Sequence, residues 1–124
     1  MEERRKFVRL DTRLEVTYTV LPSGGKVKAV TKDIGGGGVC LFAEKVLPAG
    51  TLLQVAMRLP DREPPVHFTA EVVWCEPYEV IGKSGTRERA VEVGVRFVEI
   101  APQDRDAVMQ HVILNFKSSA APDS

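Results

Sequence analysis

Apolar and polar residues alternate one by one over most of this chain. Leu14, Val16, Tyr18 and Val20 alternate with Arg13, Glu15, Thr17 and Thr19. That is the period of a strand with one buried face and one wet face. Pro22-Ser23-Gly24-Gly25 reads as a turn, 26–32 as a second strand and 39–42 as a short third strand. Leu47-Pro48-Ala49-Gly50 is another turn. Leu53, Val55, Met57 and Leu59 alternate with Gln54, Ala56 and Arg58 in a fourth strand, which the prolines of 60–65 break. The fifth alternation is the longest: Val66, Phe68, Ala70, Val72 and Trp74 against His67, Thr69, Glu71, Val73 and Cys75. Its parity assigns Trp74 to the core. Residues 79–88 are polar and read as a hairpin loop, and Val91, Val93, Val95 and Phe97 mark a sixth strand.

The period then changes. Val108, Val112 and Phe116 recur at four-residue spacing, with Met109 and Ile113 beside them, on a helix over 102–117. Pro102 suits its first turn, and Asp104 and Asp106 sit near the positive end of its dipole. Residues 118–124 read as a disordered tail of small residues. Six short strands and one C-terminal helix make an all-β domain, either a closed barrel or a sandwich. Closure removes exposed strand edges, and a single helix covers one open end.

Composition narrows the functional classes. At 124 residues the chain is one domain with enough length for a real core. Seventeen Lys and Arg balance seventeen Asp and Glu, so net charge is zero. A general nucleic-acid binder carries a basic excess instead, and only 6% of residues are aromatic for stacking on bases. The basic field is local: Arg4, Arg5, Lys6, Arg9 and Arg13 stand against Asp11 at the N-terminal end. No apolar run approaches a membrane span, and the first residues lack a signal-peptide core. Cys40 and Cys75 form no CxxC, which predicts reduced thiols and a cytoplasmic protein.

Two segments hold the candidate chemistry. Asp33-Ile34-Gly35-Gly36-Gly37-Gly38 has two readings. It is either a tight connection between strands, with Asp33 closing an Asx turn, or a loop whose backbone lets an anionic ligand come close. In the second reading Asp33 accepts from the N1 and N2 donors of a guanine. Neither phosphate-loop pattern fits, because no Gly-Lys-Ser/Thr follows and the run enters a strand. Arg4-Arg5-Lys6-Phe7-Val8-Arg9 is either a solvated basic tail or a set of guanidinium forks. Such forks match phosphate oxygens and the guanine O6/N7 edge, at roughly 1–3 kcal/mol per base contact. Phe7 either pins the segment to the domain or stacks on a base.

At these residues the chain resembles the PilZ domain family of cyclic di-GMP receptors, over about 4–116. Arg5-Lys6-Phe7-Val8-Arg9 matches the family's RxxxR motif. Asp33 and Gly38 match the ends of its D/N-x-S-x-x-G motif, and Gly35 stands where the family usually has serine. Gly94-Val95-Arg96-Phe97, the strand pattern and the closing helix complete the likeness. The resemblance implies a six-stranded antiparallel β-barrel without catalysis, forming a single domain over 1–117. Residues 1–11 would be a flexible clamp, 12–99 the barrel and 102–117 the helix. It further implies that Arg5 and Arg9 contact guanine and phosphate, that Asp33 holds a guanine, and that Gly35, Gly36, Gly37 and Gly38 line the site. Arg4, just before the motif, implies an intercalated ligand dimer. The missing serine hydroxyl is expected to weaken binding by about tenfold. With no effector attached, signalling would pass to an unknown downstream protein. The alternative is a ligand-independent protein-interaction module.

Catalysis has no support in the sequence. His67 and His111 show no metal spacing and read as surface residues, and there is no nucleophile elbow. Glu71, Glu76 and Glu79 read as a solvated strand face. The expected partners are therefore cyclic di-GMP and a protein, with no nucleic acid, no membrane and no metal.

Overall fold

A computed structural model describes residues 9–60, 62–82, 85 and 87–120. The alternating segments are strands: β1 Arg9–Asp11, β2 Glu15–Val20, β3 Lys26–Gly35, β4 Gly38–Ala43, β5 Leu52–Met57, β6 Val66–Ile81 and β7 Arg87–Ile100. The helix α1 spans Pro102–Ala120, three residues past its expected end. All strand pairings are antiparallel. Six strands close into a ring, β3-β2-β5-β6-β7-β4, through the β3–β4 pairing. The expected six-stranded barrel is therefore present, and closure leaves none of the six with a full-length open edge.

The inward-facing residues fill the barrel. Leu53, Val55, Met57, Ile34, Leu41 and Val93 are fully buried. Phe68 and Phe97 meet edge to face with centroids 4.8 Å apart. Helix α1 packs against β1, β3 and β6, burying Val108 and Val112. Its first turn is tied to the barrel by Asp104, which accepts from the His67 N–H at 3.2 Å and from Arg62 at 3.3 Å.

Several expectations change. Arg9, Leu10 and Asp11, expected in a flexible segment, belong to a strand paired with Gly35, Ile34 and Asp33, and residues 1–8 of that segment lie outside the described residues. The expected loop over 79–88 is strand at both ends: β6 and β7 stay paired to Ile81 and Arg87. On this ribbon Ile81 is exposed and Glu79 pairs with Arg87 at 3.7 Å. The buried face of α1 includes His111, 7% exposed, and excludes Ile113, 51% exposed. His111 is thus no surface residue; Asn115, one turn on, donates to its carbonyl at 2.8 Å.

Three local irregularities shape the outer wall. β1 and β2 occupy successive parts of one edge of β3, with three residues between them facing only Thr31 and Lys32. Buried Thr31 stitches this gap: its hydroxyl accepts from the Leu14 N–H at 2.9 Å and donates to the Thr12 carbonyl at 2.5 Å. On the other edge of β3, Thr31 faces Leu41 but Asp33 faces Cys40, which makes Lys32 a bulge residue. Buried positions therefore step from Thr31 to Ile34, and Lys32 and Asp33 both point outward. On β6, Val72 faces Val95 but Trp74 faces Gly94, which makes Val73 a second bulge residue. Val72 is buried, while Val73 and Trp74 are 51% and 43% exposed. Trp74 is thus on the surface, against its sequence parity, because one extra residue inverts that parity.

A candidate ligand site on the outer barrel wall

The two bulges face the same depression. Asp33 and Trp74 line an open pocket of about 390 Å³, together with Arg9, Gly37, Gly38 and Arg96. Lys32, Val73, Val39, Cys40, Gly94 and Val95 complete it. The floor is β4 lying against β7, and two glycines make that floor possible. A Cβ on Gly38 would sit 2.0 Å from the Val95 carbonyl oxygen, so only glycine fits there. Gly94 leaves the space that the Trp74 indole fills.

The glycine connection is shorter than its sequence suggests. Gly35 ends β3 and Gly38 begins β4, so only Gly36 and Gly37 turn. Asp33 lies within β3, three residues before Gly36, rather than at the start of the turn. The Gly37 carbonyl accepts from the Phe97 N–H at 3.0 Å, tying the turn to β7. Gly37 and Gly38 line the pocket; Gly35 and Gly36 are buried and do not.

Three ion pairs ring the pocket. Arg9 Nε donates to Asp33 Oδ1 at 2.7 Å, and its NH2 group meets the same oxygen at 2.6 Å. Lys32 Nζ donates to Glu92 Oε1 at 3.1 Å. Arg96 Nε donates to Glu71 Oε1 at 2.8 Å across the β6–β7 ladder. Glu71 is therefore an ion-pair partner on the wet face of β6. The hydrogen bond that Lys32 donates to Glu92 raises its ammonium pKa from the ordinary value. Burial, with the Asp33 carboxylate adding to it, pushes the Cys40 thiol up to about 11. Cys40 is thus an inert part of the wall at neutral pH. Among the described residues no cluster of His, Cys, Asp or Glu is arranged for a metal. No described helix is long and apolar enough to cross a membrane.

The arrangement offers a carboxylate, an indole and three cations on an open surface, which suits an anionic, planar ligand. Residues 3–114 match the sequence profile of the PilZ domain. The chain belongs to the PilZ domain family. No curated protein sequence matches it. Among solved structures it is similar to the PilZ domain with c-di-GMP of YcgR from Escherichia coli. That likeness has 18% identity and a TM-score of 0.74, over 98% of this chain and 97% of the other. It is also similar to the K. pneumonia MrkH–c-di-GMP complex, at 16% identity and a TM-score of 0.75, over 97% of this chain and 55% of that one. The Bacillus subtilis inhibitor of motility MotI/DgrA gives 20% identity and a TM-score of 0.72, over 96% of this chain and 54% of that one. The chain thus spans about half the length of the MrkH and MotI structures. At these identities the likeness establishes the PilZ fold.

Of the residues expected at the site, the fold brings together Arg9, Asp33, Gly37 and Gly38. Arg4 and Arg5 lie outside the described residues. Lys32, Val73, Trp74 and Arg96 were not expected there. Arg96 was the easiest of these to find, since its outward parity on the last strand puts it opposite Glu71.

Proposed function

We propose that this PilZ domain is a receptor for cyclic di-GMP. The observation that carries the reading is the convergence of Arg9, Asp33 and Trp74 on one outer-wall pocket beside the glycine turn. Both Arg9 nitrogens use Asp33 Oδ1, so Oδ2 is the carboxylate oxygen that this pair leaves for the N1 and N2 donors of a guanine. Trp74 offers an aromatic face at the pocket edge, and base–aromatic stacking is worth about 1–3 kcal/mol. Arg5 and Arg4, four and five residues before Arg9, close over the ligand with their guanidinium forks on phosphate and guanine. Arg4 recruits a second, intercalated ligand. Gly35 supplies no hydroxyl, so affinity is lower than in a serine-bearing relative.

Signalling follows from the position of β1. It carries Arg9 at the pocket and is packed by α1 on its other side. Rearrangement of the N-terminal segment around the ligand alters the surface shown by β1 and α1, and a downstream protein reads that change. Two cysteines that form no disulfide fit a cytoplasmic protein.

Isothermal titration with cyclic di-GMP in low salt tests the reading. Micromolar binding is expected, with two ligands per chain and a larger loss for Arg9→Ala than for Lys6→Ala. No heat at high micromolar ligand overturns it. That result, together with a partner captured equally by wild type and by the Arg5→Ala/Arg9→Ala double variant, would leave a ligand-independent interaction module.

A further inference from the structure

The pocket wall carries a second set of charges besides Arg9 and Asp33. Lys32 and Arg96 reach it from β3 and β7, on strands that closure of the barrel holds in place. Their carboxylate partners, Glu92 and Glu71, are not among the residues lining it. Three cations and one carboxylate therefore face the pocket directly, while the other two carboxylates of the ion pairs stand behind their cations.

We propose that Lys32 and Arg96 bind the phosphodiester groups of the ligand directly, as a cationic pair built into the barrel. The proposal rests on the cyclic di-GMP reading and adds residues to it. A cyclic dinucleotide carries two phosphodiester charges, and the pocket presents two such wall cations to meet them.

Hydrogen-bond capacity supports this role. Glu71 engages the Nε and NH2 side of the Arg96 guanidinium, which leaves the NH1 edge for a phosphate oxygen. Glu92 engages Lys32 Nζ, an ammonium with three donors. Both cations are partly exposed, at 39% and 58% of their side chains, so water screens these pairs and they add little to stability. What the pairs do is fix two long side chains. A phosphate that meets a fixed cation does not have to immobilise it, which removes part of the entropic cost of binding. Lys32 reaches the pocket only because it is the bulge residue of β3, beside Asp33 rather than alternating with it.

Removing a cation and removing its anchor have different consequences. Titration with cyclic di-GMP should show Lys32→Met and Arg96→Gln each weakening binding by about tenfold or more. Glu92→Gln and Glu71→Gln keep the cation and should weaken binding less than threefold, or tighten it. Thermal melts confirm that all four variants are folded. Losses for Lys32→Met and Arg96→Gln that merely equal those of their partner variants would mean that the pairs are structural, and would overturn the proposal. Unchanged affinity in both cation variants would do so too, and a loss in only one would remove the other from the site. Wild type that binds while the cation variants match it leaves the receptor reading standing; wild type that takes up no ligand removes both.

Discussion

The Trp74 indole stands where a side chain of residue 94 would be. A Cβ on Gly94 would lie 2.3 Å from Trp74 Nε1 and 2.4 Å from Cε2. Gly94→Ala should therefore push the indole off the pocket. Trp74 is the chain's one tryptophan and is 43% exposed, so it has room to swing away. We expect a shifted emission maximum, a Tm drop of only a few degrees and clearly weaker cyclic di-GMP binding. An unchanged spectrum would mean that the indole does not depend on Gly94.

Gly38→Ala should behave differently. Its Cβ would meet backbone, the Val95 carbonyl oxygen at 2.0 Å and Arg96 Cα at 2.9 Å, and no rotamer change relieves that. β4 and β7 would have to part. Overpacking of this kind costs about 1–3 kcal/mol or more. Urea unfolding should place Gly38→Ala well below Gly94→Ala in stability.

The Thr31 hydroxyl supplements the backbone hydrogen bonds where β1 and β2 meet along β3. Thr31→Val keeps the volume but leaves the buried Leu14 N–H and Thr12 carbonyl without that hydroxyl. An unsatisfied buried group costs about 1–3 kcal/mol. A lower Tm is expected, by roughly 5–10 °C for a domain of this size. Hydrogen exchange at Leu10 and Leu14 should rise as β1 loosens. Thr31→Ser keeps the hydroxyl and should hold both readouts near wild type.

Cys40 sets a pH limit. Its thiol is raised from 9.0 in a simple peptide to about 11 in the fold, mainly by burial. A group raised in the folded state keeps its stabilising effect below the unfolded value and loses it as pH rises through the folded value. Stability should therefore decline between about pH 9 and 11, and Cys40→Ser or Cys40→Ala should flatten that decline. At pH 8 a thiol reagent should label half-buried Cys75 well before buried Cys40. Equal labelling rates would contradict this.

Much of the architecture was legible in the sequence because strand parity holds over long stretches. Val16, Tyr18, Leu53, Val55 and Met57 are buried as their alternation requires. Asp33, Gly38 and Arg9 were identifiable from motif spacing. Trp74, Lys32 and Val73 were not, for one shared reason. A bulge residue looks like any other residue in a strand and is defined only by what the neighbouring strand does opposite it. Past Val73 the inward parity of β6 is inverted, so counting from Val66 assigns Trp74 to the wrong face. His111 misled for a related reason: a polar residue at a buried helical position resembles a surface residue until its neighbours are known.

The bulges at Lys32 and Val73 also bear on how such a site is gained or lost. Each changes the facing of the residues beyond it by adding one position, while the barrel interior beneath keeps its apolar residues. Deleting Val73 would turn Trp74 inward and take the aromatic group from the pocket without substituting any other lining residue. Divergence among barrels of this kind is therefore open to single-residue insertions and deletions as well as substitutions. An alignment that scores only residue identity at the motif positions would pass over that change.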